Sequence, residues 1–145
     1  MASNGAKATS VLSLDFASDN PSTILVAEDN LINQKLIMRI LEKLGFEAVL
    51  VNNGQEVLDE LDKKMYDIIL MDIQMPELDG LETTRRIRKI DNIDQPYIVA
   101  MTANAMPEDR DECYAAGMDN YVSKPVKLEL LVNVLREGYK AKFNK

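Results

Sequence analysis

The chain contains no histidine. That absence excludes Ser–His–Asp and Cys–His catalysis and histidine-ligated zinc within it. It also excludes a phosphohistidine carried on this chain. The single cysteine, Cys113, cannot form an internal disulfide and has no neighbours at metal-ligand spacing. Such cysteine usage suits a reducing compartment, most simply the cytoplasm. Apolar runs extend over only a few residues, too short for a membrane span or a secretory signal, so no membrane contact is expected. Basic residues are outnumbered: 17 Lys and Arg face 24 Asp and Glu, for a net charge of −7. That balance argues against nucleic acid as the main partner, because phosphate binding needs a basic patch. Chemistry is left to carboxylates, hydroxyls and lysine.

What is present suits one soluble globular domain: 145 residues, 46% hydrophobic and 28% charged. Residues 1–21 are rich in Ser, Ala, Asn and Gly, end in Asn20-Pro21, and read as a linker or tail. Residues 22–140 read as the folded domain and 141–145 as a C-terminal tail. Within the domain, short apolar runs alternate with helical periodicity. The run Thr23–Ala27 precedes a helix carrying Ile37, Ile40, Leu41 and Leu44, closed by Gly45. A β-rich run, Phe46–Val51, leads to Asn53-Gly54-Gln55-Glu56, a capping-box start for a helix with Val57, Leu58 and Leu61. Tyr66–Met71 is the third strand, followed by an amphipathic helix with Leu81, Thr84 and Ile87. Tyr97–Met101 is the fourth strand, Pro107 opens a helix that ends at Gly117, and Tyr121-Val122 marks the fifth strand. The last helix carries Leu128, Leu131, Val132 and Leu135. Five βα units with near-continuous apolar strands predict a parallel sheet covered on both faces, in an open doubly wound α/β topology.

Four strands end in polar residues that break their apolar pattern: Glu28-Asp29, Asp72, Thr102 and Lys124. In a parallel sheet these ends share one edge, where open α/β folds bind ligands. Carboxylates gathered within about 4 Å repel by roughly 4 kcal/mol per pair at an effective dielectric near 20, so they require protons or a cation. Oxygen ligands without histidine or thiolate point to Mg2+ or Mn2+. Lys124 adds a point cation suited to a phosphoryl oxygen. The set describes a phosphoryl-transfer site with a metal, a lysine, a hydroxyl and a carboxylate nucleophile. Taken one at a time, the acids and Thr102 are equally good helix or turn caps, and a lone lysine is an ordinary surface charge. Independent caps, however, have no reason to fall on four strand ends.

The motifs carrying these residues resemble the receiver domain of two-component response regulators over roughly residues 22–140. They are ILVAEDN (24–30), YDIILMDIQMPELDG (66–80), AMTANAM (100–106), AAGMDNYVSKP (115–125) and the closing amphipathic helix. The EDN–LIN opening with QMP, TANAM, GMD and SKP looks more narrowly like receivers attached to hybrid sensor histidine kinases. The linker-like start of the chain would suit a piece cut from such a protein. The resemblance implies a flavodoxin-like sheet of order 2-1-3-4-5 with five helices. It implies that Asp72 accepts a phosphoryl group from a partner's phosphohistidine. Asp29, Asp72 and the backbone carbonyl of Gln74 would ligate Mg2+, and Glu28 would act partly through water. Lys124 would pair with Asp72 and then with the phosphoryl group, and the Lys124–Pro125 peptide would be cis, as is common in the family. Thr102 would bond a phosphoryl oxygen, and Tyr121 would swing between exposed and buried rotamers.

The acid pair is Glu-Asp where many receivers carry Asp-Asp, which lengthens one arm. Gln74, two residues past the acceptor, occupies a position that influences phosphoryl-group lifetime in the family. The implied partners are a histidine kinase dimerisation domain and a histidine phosphotransfer protein. Leu31, Ile32, Met75 and Val126 are expected as apolar contacts around the site. Rival readings are a degenerate receiver acting only as an interaction module and a Mg2+-dependent phosphatase using an aspartyl-phosphate intermediate. The phosphatase is disfavoured because Gln74 stands where such enzymes usually place a second acid. A nucleotide-binding domain is weaker still, for want of a glycine-rich loop after the first strand.

Overall fold

The computed structural model of the protein describes residues 15–103 and 106–143. Five strands form one parallel sheet: β1 (Ile24–Ala27), β2 (Val49–Val51), β3 (Ile68–Asp72), β4 (Tyr97–Thr102) and β5 (Asn120–Ser123). Their order is β2-β1-β3-β4-β5, the doubly wound order expected. Six helices accompany them among the described residues: α1 (Asp15–Asp19), α2 (Leu31–Lys43), α3 (Gly54–Lys63), α4 (Gly80–Arg88), α5 (Pro107–Ala116) and α6 (Leu128–Phe143).

Although the strands read as unbroken apolar runs, their pleat sorts side chains between two cores. Ile24, Val26, Ile68, Leu70, Val99 and Met101 join Ile37, Leu41, Leu131 and Leu135 under α2 and α6. Leu25, Ala27, Ile69, Met71, Ile98 and Ala100 join Val57, Ile87 and Cys113 under α3, α4 and α5. Burial on both faces is why the strands carry no polar alternation.

Side-chain caps set the helix starts that face the site. Asn30, Asn53 and Asp79 each accept a hydrogen bond from the backbone N–H three residues on, opening α2, α3 and α4. Glu56 does not complete a reciprocal capping box with Asn53; its carboxylate instead accepts the Asn52 N–H at 2.8 Å. At the end of α5, Gly117 adopts φ 110°, and a Cβ there would lie 2.8 Å from Arg88 Cγ.

Four expectations about the elements change, one of them at the C-terminus, where 141–143 of the expected tail 141–145 belong to α6. Of the segment 1–21 read as a tail, residues 1–14 lie outside the described residues, and the rest contains α1, five residues long, whose Phe16 is buried and meets Phe46 edge-on with ring centroids 6.0 Å apart. Polar composition hid it because one aromatic does the docking. The second strand is shorter than Phe46–Val51: only Val49–Val51 pair with β1, while Phe46 turns into the core against Phe16. The third strand starts at Ile68, since Tyr66 is buried in the turn before it and donates its hydroxyl to Glu60 at 2.7 Å.

Candidate functional site

All five strands point their carboxyl ends to one edge, and the polar residues singled out in the sequence gather there. Asp72 is the last residue of β3 and Thr102 the last of β4, both buried. Glu28 follows β1 directly and is also buried, whereas its neighbour Asp29 is exposed. Lys124 follows β5, and its backbone N–H donates to the Thr102 carbonyl at 2.8 Å. The Lys124–Pro125 peptide is cis.

The Lys124 ammonium sits between two carboxylates, 3.0 Å from Glu28 Oε1 and 2.9 Å from Asp72 Oδ2. The remaining oxygens have backbone partners: Asn30 N–H donates to Glu28 Oε2 at 3.0 Å, and Gln74 N–H to Asp72 Oδ1 at 3.1 Å. Glu28, Asp29 and Asp72 each bring a carboxylate oxygen within 4.8 Å of the others. One ammonium against three carboxylates leaves excess negative charge at a largely buried point. The electrostatics record it. Burial, joined by the Glu28 charge and opposed by the bond and charge of Lys124, leaves the Asp72 carboxyl pushed up to about 6. Burial alone would lower the Lys124 ammonium, but its bonds to Asp72 and Glu28 raise it above the ordinary lysine value. It therefore stays charged.

These residues fit Mg2+. The donors are all carboxylate oxygens, a hard set, and the uncompensated charge is what a divalent cation would neutralise. Beside them lies a cavity of about 140 Å³ lined by Asp72, Ile73, Gln74, Thr102, Ala103, Asp109, Glu112 and Lys124. The Asp72 carboxylate, the Thr102 hydroxyl and the Lys124 ammonium thus share one opening large enough for a phosphoryl group. Gly80 lets α4 begin against it, since a Cβ there would collide with the Asp72 carbonyl.

Tyr121, on β5, is half-buried. Its hydroxyl accepts from Arg110 Nη1 at 2.9 Å, the same guanidinium lies 5.4 Å from its ring centre, and Tyr114 meets it edge-on. The four apolar contact residues divide. Leu31 and Ile32 are 69% and 77% exposed at the start of α2. Met75 and Val126 are buried, one in each core, and cannot serve as surface contacts without rearrangement. Pattern alone could not separate them, because each is an apolar residue shortly after a strand end beside the site. Leu36, not singled out in the sequence, is exposed on α2 and lines a small cavity with Glu28 and Lys124.

Sequence reasoning also missed the polar support of the acid pair. Gln34, buried on α2, donates from Nε2 to the Glu28 carbonyl and, at 2.9 Å, to Asn52 Oδ1. The legible signal was an amide on the apolar stripe Gln34–Ile37–Leu41. Asn53 Nδ2 likewise reaches Glu77 Oε2 at 2.9 Å, joining α3 to the loop after Asp72.

Residues 24–136 match the response regulator receiver domain family. The chain is 46% identical over 123 residues to hybrid signal transduction histidine kinase H of Dictyostelium discoideum, covering 82% of this chain but 9% of that protein. It spans about a tenth of the length of the first curated relatives it matches. Among solved structures it resembles the receiver domain of sensor histidine kinase PA1611 from Pseudomonas aeruginosa, which has a magnesium ion coordinated in its active-site cleft. The identity is 40% and the TM-score 0.75, over 81% of this chain and 97% of that one. It also resembles one of the chains of the complex between the Saccharomyces cerevisiae histidine phosphotransfer protein Ypd1 and the receiver domain of the response regulator Ssk1. There the identity is 30% and the TM-score 0.76, over 83% of this chain and 91% of that one. With its parallel sheet in the order 2-1-3-4-5 and its acids gathered at the carboxyl edge, the chain belongs to the response regulator receiver domains of two-component signalling.

Proposed function

We propose that this receiver domain accepts a phosphoryl group on Asp72 in a Mg2+-dependent phosphorelay and uses the change to alter its binding surface. The observation that carries the reading is the placement of Lys124 between Glu28 and Asp72, with Asp29 in reach and Thr102 across the same cavity. Asp72 attacks the phosphorus of a phosphohistidine on another domain. The new O–P bond forms as the N–P bond breaks, and the imidazole leaves with the bonding pair. Lys124 holds the acceptor carboxylate in line and then neutralises a phosphoryl oxygen. Thr102 donates its hydroxyl to another. Asp29 and Asp72, with the Gln74 carbonyl and the support of Glu28, would hold Mg2+, which when bound would supply charge neutralisation for the phosphoryl oxygens.

The phosphohistidine belongs to a kinase dimerisation domain or a histidine phosphotransfer protein, since this chain has no histidine. The likeness to a receiver in the Ypd1–Ssk1 complex supports the second. Leu31 and Ile32, exposed beside the site, are the apolar contacts such a partner would cover. Departure of Tyr121 from its Arg110 contact would report the turn of Thr102 toward a phosphoryl oxygen. The domain acts as a phosphoryl acceptor and not as a turnover enzyme, and it works on the cytoplasmic side. No described helix is long and apolar enough to cross a membrane.

The test is intact mass after incubation with Mg2+ and acetyl phosphate, beside Asp72→Asn. One added phosphoryl group, lost in the variant and without Mg2+, is the expected result. No addition, repeated with a competent phosphohistidine donor, would leave a degenerate receiver that only binds partners.

A further inference from the structure

We propose that Gln34 is a positioning residue for the metal-binding acid pair, acting through the Glu28–Asp29 peptide. The inference rests on the reading above that this pair serves Mg2+. Glu28 lies one residue beyond the last ladder pair of β1 with β2, Ala27↔Val51. Its N–H still reaches back to the Val51 carbonyl at 3.1 Å. Its carbonyl has passed the end of the neighbouring strand, and there it accepts a hydrogen bond from the Gln34 amide. That carbonyl belongs to the peptide joining the two acids, so its orientation decides where both side chains leave the backbone.

Both protons of Gln34 Nε2 are used, one on Glu28 and one on Asn52 Oδ1. Asn52 is in turn held by Glu56 of α3, whose Oε1 accepts the Asn52 N–H at 2.8 Å. The acid pair is thereby tied through Gln34 on α2 to Asn52, and through Asn52 to α3. Packing does not ask for an amide here: Gln34 is 7% exposed on a stripe whose other members are Ile37 and Leu41. A buried amide is costly unless bonded, and a Leu or Met would fill the site without that demand. What the amide adds is direction. Mutual repulsion of the carboxylates would swing the Asp29 arm toward water, and a fixed peptide resists this before the cation arrives. Partners one layer behind metal ligands typically change affinity 10- to 100-fold when removed.

The test is Mg2+ affinity by NMR titration of wild type and Gln34→Met, with acetyl-phosphate phosphorylation followed against Mg2+ concentration. Gln34→Met is expected to weaken Mg2+ binding about 10-fold, with the phosphorylation rate recovering at saturating Mg2+. A lowered Tm with an unchanged Mg2+ dissociation constant would overturn the proposal, because Gln34 would then be only structural. Should Gln34→Met fail to fold, Asn52→Ala at its exposed partner carries the question. Several-fold weaker binding supports the proposal, and unchanged affinity overturns it. Wild-type protein that binds no Mg2+ would sink the underlying reading as well, whereas normal wild-type binding with an indifferent Gln34 sinks this inference alone.

Discussion

The two ends of the sheet handle charge in opposite ways. At the amino end, the carboxylates of Asp67, Asp94 and Asp119 are matched to donors. Asp67 Oδ2 accepts from the Thr23 N–H and hydroxyl at 2.8 and 3.0 Å, and Thr23 accepts the Asp67 N–H in return. Asp119 Oδ2 takes the Ile98 N–H at 2.8 Å and Arg88 Nη2 at 2.7 Å. Arg88 spends its other donors on Gln95 and on the carbonyls of Pro96 and Gly117. Lys142, near the end of α6, bonds the Gln95 carbonyl and pairs with Asp94. At the carboxyl end, three carboxylates crowd one ammonium. The first arrangement closes the fold, and the second holds charge in readiness for a ligand. Stability is concentrated at one end and reactivity at the other, so changes at the two ends should separate in experiment.

The sharpest separation comes from Asp72→Asn. It should abolish phosphorylation in the mass assay and leave the amino-end contacts untouched. The reverse case is Phe16→Ala, which empties the space against Phe46 and strips the ring that lies 5.6 Å from the Arg136 guanidinium carbon. It should cost about 2–4 kcal/mol in urea unfolding with no change in initial phosphorylation rate. A loss below about 1 kcal/mol would return α1 to the status of a linker. Arg88→Met should follow at about 2 kcal/mol, because one side chain satisfies two carbonyls, an amide and a carboxylate across the amino end.

Asp72→Asn also has an effect of opposite sign on stability. In the fold the Asp72 carboxyl titrates near 6, above the ordinary value of about 3.9 for an unfolded aspartate. Between those values the folded state binds the proton that the unfolded state releases, so wild-type stability falls as pH rises through that window. The variant escapes this. Without Mg2+ its unfolding free energy should exceed wild type above pH 6, by on the order of 1–2 kcal/mol given an opening to water, and converge with it below about pH 4, read as a Tm difference that closes over the same range. Mg2+ should close the gap by stabilising wild type. Equal Tm values at pH 8 without metal would mean that Lys124 already compensates Asp72 in full.

The smallest expected effect is at Gln74, which is exposed on the cavity wall. Gln74→Ala should speed loss of the phosphoryl group a few-fold by admitting water. An unchanged dephosphorylation rate would remove its amide from any shielding role.

The sequence by itself determined the alternation of strands and helices, the doubly wound class and the identity of the acids, lysine and threonine at the strand ends. These follow from periodicity and from the rule that parallel strands end on one edge. Tertiary structure decided which residues share a bond. Lys124 divides between Glu28 and Asp72 because β1 and β5 lie on opposite sides of β3, and no spacing in the chain encodes that. Met75 and Val126 look like Leu31 and Ile32 as letters, yet the first two turn into the two cores and the second two face solvent. Phe16 in a polar segment, and Gln34 on an apolar stripe, were each legible only as one residue out of pattern. Their meaning came from what the fold placed opposite them, the Phe46 ring and the Glu28 carbonyl. Local periodicity is written in neighbouring residues. Partnership across the sheet exists only once the chain has closed on itself.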